Sequence, residues 1–210
     1  MKGLFITIEG PDGSGKTSVI KGLIPKLTPM VKKEIVTTRE PGGSRIAEKI
    51  RELILDPEHL EMDSRTEALL YAASRRQHLI EKVFPALEAD QVVICDRFVD
   101  SSLVYQGWAR GIGMSEVAAI NDFATEGVVP DITLYLDVDA KEGLERIERA
   151  RKDRQYDRLD QEELAFHEKV REGYLKLVKN NQKRIVLVDA SQSVEKVVEE
   201  CYTTIMAQLS

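Results

Sequence analysis

The chain has 210 residues, and its 42% hydrophobic and 31% charged residues exclude a disordered protein and allow one sizeable core. The formal net charge of −6 argues against a general nucleic-acid-binding surface. The two cysteines, Cys95 and Cys201, lie far apart in the sequence, and we expect both thiols to be free. The sequence shows no signal-peptide pattern and no apolar stretch of transmembrane length, so we expect a cytoplasmic protein with no membrane partner.

Short β-rich runs alternate with helical patterns along the chain. The runs predicted as strands are Leu4–Ile8, Glu34–Thr38, Gln91–Cys95, Ile132–Leu136 and Ile185–Val188. The segments predicted as helices are Lys16–Leu27, Ser44–Leu55, Ser64–Glu88, Asp100–Arg110, Ser115–Gly127, Ala140–Arg151, Gln161–Lys179 and Val194–Leu209. This alternation predicts an α/β fold with a mainly parallel sheet. Ligands of such sheets bind beyond the carboxyl ends of the strands.

A phosphate-binding motif directly follows the first predicted strand and opens the first helix. It matches G-x-x-x-x-G-K-[ST], and its residues are Gly10, Pro11, Asp12, Gly13, Ser14, Gly15, Lys16 and Thr17. Glycines let several backbone N–H groups converge on one phosphate, and the helix N-terminus adds a positive dipole end. The motif predicts that Lys16 reaches the β- and γ-phosphates of a nucleotide and that Thr17 ligates Mg²⁺.

The third predicted strand ends at Asp96, followed by Arg97. A carboxylate at this position suits the second acidic group that supports Mg²⁺, and the alternative is that Asp96 caps the next helix. Arg39 follows the second strand, so Arg39 and Arg97 are expected to face the same cleft. Their planar guanidinium groups suit an acceptor phosphate, although a single arginine on a loop is more often a surface residue.

A second basic cluster lies near the end of the predicted helix Ala140–Arg151 and continues into a polar stretch. Its arginines are Arg146, Arg149, Arg151, Arg154 and Arg158. Such a segment, at about residues 149–158, suits a lid that closes over the phosphates. The alternative, a solvated charge run, is common in sequences of this kind.

The chain resembles the thymidylate kinase family over nearly its whole length, and most closely the enzymes of Gram-positive bacteria. The motifs that carry the resemblance are Glu9–Thr17, Arg39–Gly43, Leu70–Arg75, Asp96–Phe98, Ser101-Ser102, Tyr105–Gly107, Ala109–Gly113 and Asp157-Arg158. Two positions depart from the pattern, because Tyr71 stands where the family often has Phe, and Phe98 where it often has Tyr. Both exchanges keep an aromatic ring.

The resemblance implies a role for each matching residue. Asp12 would bond the sugar 3′-hydroxyl, and Arg39 and Arg97 would bind the acceptor phosphate. Tyr71 would stack on the base, and Tyr105 would crowd the 2′ position. Arg146 would lie against adenine, while Arg149, Arg151 and Arg154 would supply catalytic charge from the lid, because the P-loop itself carries no extra basic residue. Arg75, Ser102 and Gln106 would hydrogen-bond the edge of the base, and Ser101 would belong to the same substrate-binding site.

The same resemblance implies a P-loop nucleoside monophosphate kinase-like fold with a five-stranded parallel sheet flanked by helices, one domain over residues 1–210 and a homodimer. The expected reaction is ATP + dTMP giving ADP + dTDP with Mg²⁺. Another nucleoside or deoxynucleoside monophosphate kinase is the nearest alternative. A GTP-binding switch would carry an N-K-x-D motif, which does not occur here. An ATP-binding module without catalysis would leave the acceptor residues unexplained.

Overall fold

The computed structural model describes residues 3–150, 158 and 162–209. Five strands form one all-parallel sheet in the order β2-β3-β1-β4-β5. Their bounds are β1 Leu4–Glu9, β2 Ile35–Arg39, β3 Val92–Asp96, β4 Ile132–Asp137 and β5 Ile185–Asp189. The predicted fold class is therefore confirmed, and each predicted strand lies within one residue of its observed bounds.

The helices flank this sheet. Their bounds are α1 Lys16–Leu27, α2 Arg45–Leu55, α3 Ser64–His78, α4 Phe84–Glu88, α5 Val99–Ser102, α6 Met114–Thr125, α7 Ala140–Ala150, α8 Leu164–Asn180 and α9 Val194–Leu209. Two π-helical segments, Leu79–Val83 and Leu103–Ala109, interrupt what the sequence predicts as continuous helices. Ser44 occupies the N-cap position before α2 without a side-chain capping hydrogen bond, and α8 begins three residues later than predicted.

The sheet buries both faces, as its apolar strands predict. Alternate side chains point to opposite faces of a strand, so Ile6 and Ile8 pack with α1 and α9. Phe5 packs on the other face with Leu79 and Val83. A third cluster joins Tyr135 of β4 to Val104 and to α8. Both cysteines are buried and unbridged, and no described helix is long and apolar enough to cross a membrane.

The strand order places the motifs at one edge. From β1 the chain moves to β2 and β3 on one side of the sheet and then to β4 and β5 on the other. Ligands of open parallel sheets bind at such a change of direction, beyond the carboxyl ends of the strands. In this register Ile8 pairs with Asp96, and Arg39 pairs with the same aspartate from β2. The P-loop, Asp96 and Arg97 therefore meet at this edge.

Candidate active site

The P-loop leaves β1 through three glycines with positive φ, which are 151° at Gly10, 78° at Gly13 and 88° at Gly15. A side chain at Gly13 would also collide with the backbone of Gly143, because an added Cβ would lie 2.1 Å from the Gly143 carbonyl oxygen. Glycine is required here both for backbone conformation and for close approach. The glycines thus allow the loop to turn sharply into α1, and convergence of its N–H groups on a phosphate stays a prediction.

Lys16 is buried at the base of this loop. Its Nζ donates to the carbonyl oxygens of Gly10 at 3.1 Å and Pro11 at 3.0 Å. Burial and then the nearby Arg97 lower the pKa of Lys16 to about 8. A phosphate group placed here would offset the burial cost of the ammonium, since an opposite charge favours the charged form.

Thr17 and Asp96 bring two hard oxygen donors together. The Thr17 hydroxyl lies 3.4 Å from Oδ2 of Asp96. Thr17 is the second residue of α1, and Asp96 ends β3, so the two elements converge at this point. Among the described residues no group of three or more His, Cys, Asp or Glu side chains could hold a metal. The pair instead fits Mg²⁺, which is usually held by one or two protein oxygens, water and substrate phosphates.

Arg97 lies in the cleft with a conformation rare for its residue type. Its φ is 69°, in the left-handed region that costs a non-glycine residue energy and is often found at functional sites. Nη2 donates to Oδ1 of Asp12 at 2.8 Å and to the Tyr105 hydroxyl at 3.3 Å. Nη1 donates to Ser101 and Tyr174. The guanidinium is thereby fixed against the P-loop.

The buried carboxylate of Glu9 hydrogen-bonds the two hydroxyl groups that accept from Arg97. Oε2 of Glu9 accepts from the hydroxyls of Ser101 at 2.6 Å and Tyr174 at 2.8 Å. Oε1 accepts from the backbone N–H of Phe98 at 2.7 Å. Burial, followed by the nearby Asp100 carboxylate, raises the pKa of Glu9 to about 7. Glu9 thus organises the two hydroxyls that bond Arg97, although the sequence assigned it no role.

An open cavity of about 460 Å³, a volume that includes space continuous with solvent, lies beside Arg97 and Asp12. It contains most of the residues predicted to bind the acceptor nucleotide. Its lining residues are Asp12, Glu40, Pro41, Arg51, Leu55, Tyr71, Arg97, Ser101, Ser102, Tyr105 and Gln106. We refer to this cavity as the acceptor pocket.

Arg51 is a lining residue that the sequence interpretation missed. It lies on α2 and donates to the carbonyl oxygen of Pro41 at 3.0 Å. Arg51 follows Ala47 by four residues and precedes Ile54 by three, and both neighbours are buried. Residues three and four apart share a helix face, so this spacing could have indicated an arginine turned inward.

Arg39 is not among the lining residues of the acceptor pocket. Its guanidinium forms two hydrogen bonds with the Glu48 carboxylate, at 3.0 and 2.9 Å, near the surface. Arg97 thus lies in the cleft, whereas Arg39 is paired with Glu48, and binding of the acceptor phosphate by either arginine stays a prediction. The physical reason is that α2 places Glu48, a bidentate partner, next to the end of β2.

Arg75 is more deeply buried than a base-reading role requires, with 2% of its surface exposed. Nε donates to Glu40 at 2.7 Å and Nη2 to the Phe98 carbonyl at 3.0 Å. Nη1 donates to Ser102 and to Asn121. Four of the five guanidinium N–H groups thus serve the protein. Direct contact between Arg75 and a base stays a prediction, while its contact with Ser102 and Glu40 joins it to the pocket wall.

A second and larger cleft, of about 970 Å³, opens on the other side of the P-loop. Gly13, Ser14 and Gly15 line it together with Arg146, which donates to Glu142 at 2.6 Å. The segment between β5 and α9 also lines this cleft with Ala190, Gln192 and Ser193, followed by Val194 at the start of α9. The sequence indicated none of these residues. The buried Ser14 hydroxyl has no hydrogen-bond partner among the described groups, which suits a wall completed by a ligand.

The predicted lid is described only at its two ends. Arg149 is exposed on α7 and pairs with Glu145 at 3.2 Å. Arg158 is buried and donates to the Ile54 carbonyl at 3.0 Å. Arg151 and Arg154 lie outside the described residues, so their predicted catalytic role stays a prediction.

Comparison with known proteins agrees with this geometry. The thymidylate kinase family model matches residues 8–201. The thymidylate kinase of Enterococcus faecalis is 61% identical over 206 residues, which cover 98% of this chain and 97% of that protein. The thymidylate kinase of Geobacillus sp. (strain WCH70) is 53% identical over 212 residues, covering 100% and 99%.

A solved structure gives the same result. The crystal structure of thymidylate kinase from Ehrlichia chaffeensis superposes with a TM-score of 0.78 at 32% identity, covering 98% of this chain and 99% of that one. The chain that contains this parallel sheet, P-loop and acceptor pocket is therefore similar to thymidylate kinases along nearly its whole length. The chain belongs to the thymidylate kinase family.

Proposed function

We propose that the protein transfers the γ-phosphate of ATP to dTMP, which gives dTDP for dTTP synthesis. The observation that carries the proposal is the bond between Arg97 and Asp12. It joins the P-loop, which suits a nucleoside triphosphate, to a separate pocket whose lining offers charged, hydroxyl and aromatic groups suited to a second nucleotide. The named relatives are thymidylate kinases at 53–61% identity over nearly their whole length, which supports dTMP as the acceptor.

The two clefts suit the two substrates. The larger cleft beside Gly13–Gly15 suits the adenosine of ATP, with Arg146 at its edge. The acceptor pocket offers Tyr71 as an aromatic surface for a base, and Tyr105 near the sugar. Arg97 extends into the space between Asp12 and Ser101, where an acceptor phosphate would lie. Arg51 adds a second positive charge to the wall, and Arg39 would become available if it left Glu48.

Phosphoryl transfer is catalysed chiefly by positioning and charge stabilisation. Lys16 holds the phosphates of the donor, and Arg97 holds the attacking phosphate against them. Asp12 and Ser101 hold the Arg97 guanidinium in the cleft, where it would exchange some of its hydrogen bonds to the protein for bonds to the acceptor phosphate. Thr17 and Asp96 would hold Mg²⁺, which neutralises charge on the phosphates when bound. The whole chain then acts as one kinase domain in which residues 149–158 close over the phosphates and exclude water.

The reaction itself tests the proposal. The protein is incubated with ATP, Mg²⁺ and dTMP, and the nucleotides are separated by anion-exchange chromatography. Formation of dTDP and ADP in equal amounts is expected. ADP formation without dTDP would indicate an ATPase, and no nucleotide turnover by the folded protein would indicate a binding module.

We also propose that the protein acts as a homodimer through α3 and α6. Leu69 is 56% exposed and Phe123 is 90% exposed, and with Ala73 and Ile120 they line one groove whose lining also includes Arg76, Asp122 and Glu126. Exposed apolar side chains grouped together and accompanied by charged residues are typical of an interaction surface. Analytical ultracentrifugation should show a dimer, and Phe123→Asp should shift it toward monomer. Met30→Asp, at another exposed apolar residue, should leave the dimer intact; a monomeric wild type would contradict the proposal.

A further inference from the structure

Glu67 is a buried carboxylate that contacts both the acceptor pocket and the end of the lid. It lies in the first turn of α3 and is 1% exposed. Oε1 accepts a hydrogen bond from Nε2 of Gln106 at 2.7 Å. Oε2 accepts from the guanidinium groups of Arg158 and, at 3.4 Å, Arg110. One carboxylate oxygen therefore faces an amide and the other faces two cations.

This arrangement determines which end of the Gln106 amide meets Glu67. An ionised carboxylate only accepts hydrogen bonds, whereas a glutamine amide has a donor end and an acceptor end. Turning the amide around would place its carbonyl oxygen against Oε1 of Glu67, with no hydrogen between two negative atoms. The NH₂ end is therefore held against Glu67, and the carbonyl end remains for the acceptor pocket that Gln106 lines.

We propose that Glu67 is a positioning residue that makes Gln106 an acceptor toward the base and so selects thymine over cytosine; this rests on the proposed function. Thymine has an N–H at ring position 3, which donates to a carbonyl oxygen. Cytosine has a bare nitrogen there, which only accepts. An acceptor facing an acceptor in a buried pocket leaves both groups without a hydrogen-bond partner, which disfavours cytosine.

The substitution Glu67→Gln should shift the selection toward cytosine, because Arg158 and Arg110 remain on one side of position 67. The amide introduced there turns its oxygen to these cations and its NH₂ to Gln106. Gln106 then turns its own oxygen to position 67 and its NH₂ to the pocket. That donor matches the bare nitrogen of cytosine and opposes the N–H of thymine.

The test uses dTMP and 5-methyl-dCMP, which carry the same methyl group and differ only at ring positions 3 and 4. We expect Glu67→Gln to lower the ratio of kcat/KM for dTMP to that for 5-methyl-dCMP by at least about fivefold. Arg158→Met is the matched control, since it also removes the ion pair between Glu67 and Arg158 but keeps the carboxylate. Its ratio should stay within about twofold of wild type, whatever happens to turnover.

A compensating double variant distinguishes loss of the Gln106 orientation from general disruption of the pocket. When Gln106→Glu is added to Glu67→Gln, the carboxylate introduced at position 106 accepts from the amide at position 67 with one oxygen and presents the other to the base. The preference for dTMP should then return. If Glu67→Gln alone does not fold, the same ratio is compared between the double variant Glu67→Gln, Arg158→Met and Arg158→Met itself.

Two results would overturn the inference: an unchanged ratio in the folded Glu67→Gln variant, or an equal change in Arg158→Met. A wild type that does not phosphorylate dTMP overturns the proposed function instead.

Discussion

The guanidinium of Arg97 lies 2.8 Å from the Asp12 carboxylate, so the end of β3 is tied directly to the P-loop. Asp12 also accepts from the Tyr105 hydroxyl at 3.0 Å, and the Arg97 guanidinium lies 5.0 Å from the centre of the Tyr105 ring. Asp12, a residue of the P-loop, thus holds Arg97 and Tyr105, which both line the acceptor pocket. The two substrate sites are therefore positioned relative to each other by side chains that sit between them.

Replacing Arg97 should disable the acceptor side. Arg97→Lys keeps a positive charge but loses the fork that bonds Asp12, Ser101 and Tyr105 together. We expect kcat/KM for dTMP to fall by about 10²–10³-fold, the usual cost of losing one preorganised donor. Steady-state kinetics measure the effect, with exposed Arg65→Lys as the control. A loss below about tenfold would remove Arg97 from the phosphate site.

Lys16 should be essential for transfer and not for folding. Lys16→Ala removes the ammonium that is held at the base of the P-loop, and we expect kcat/KM to fall by about 10²–10³-fold or more. Lys21→Ala, at an exposed lysine on the same helix, should keep wild-type activity. Near-normal turnover in a Lys16→Ala protein with an unchanged circular dichroism spectrum would contradict the assignment of the P-loop.

Tyr105 should control the choice of sugar. Its ring is 5% exposed and lines the acceptor pocket, where it would crowd a 2′-hydroxyl. Tyr105→Ala should raise the kcat/KM ratio of ribo-TMP to dTMP by about tenfold, within the range expected for one small group. Tyr105→Phe keeps the ring and should keep the ratio, while losing the bond to Asp12. Equal ratios in wild type and Tyr105→Ala would exclude Tyr105 from the sugar site.

Glu9 should make stability depend on pH. Its pKa is raised from 4.5 to about 7 in the fold, because burial disfavours the charged form. The folded state therefore binds the proton more tightly than the unfolded state does. The contribution of Glu9 to the free energy of unfolding is fully present below about pH 4.5 and is lost as the pH rises through about 7.

The substitution Glu9→Gln mimics the protonated side chain, so the variant should not lose this contribution to the free energy of unfolding as the pH rises. The free energy of unfolding of the variant, relative to wild type, should rise between about pH 5 and pH 8 in urea titrations. Glu61→Gln, at an exposed glutamate, should show no such trend. A parallel pH dependence of the Glu9 variant and wild type would show that Glu9 does not titrate in this range.

Local patterns in the sequence predicted the strands and the P-loop, because each depends on residues adjacent in the chain. The contact between Thr17 and Asp96 joins residues far apart in the chain, and their role as Mg²⁺ ligands stays a prediction. The π-helical segments were missed because their apolar spacing also fits an α-helix. The sequence interpretation assigned both Arg39 and Arg75 a role in binding the substrate, but the position of each side chain depends on partners from other elements. Glu48 on α2 holds Arg39 at the surface, and Glu40, with Asn121 of α6, holds Arg75 in the interior.

The position of Glu67, which the sequence interpretation missed, also depends on how elements pack together. Glu67, Tyr71 and Arg75 recur every four residues on α3, so they share one helix face. That spacing could have indicated Glu67 as part of the pocket wall. The bond from Gln106 to Glu67 could not be predicted, because it depends on how α3 packs against the segment Leu103–Ala109.

The most direct measurement of the proposed activity is phosphorylation of a panel of nucleoside monophosphates with ATP and Mg²⁺. We predict that dTMP is the best acceptor. We expect dUMP to be roughly 10–200-fold lower in kcat/KM, because a pocket gains about 1–3 kcal/mol from one methyl group. We expect dCMP and dGMP to be far behind, because cytosine offers the wrong hydrogen-bonding edge and a purine overfills the pocket. Efficient phosphorylation of dCMP or dGMP would contradict thymidylate as the acceptor.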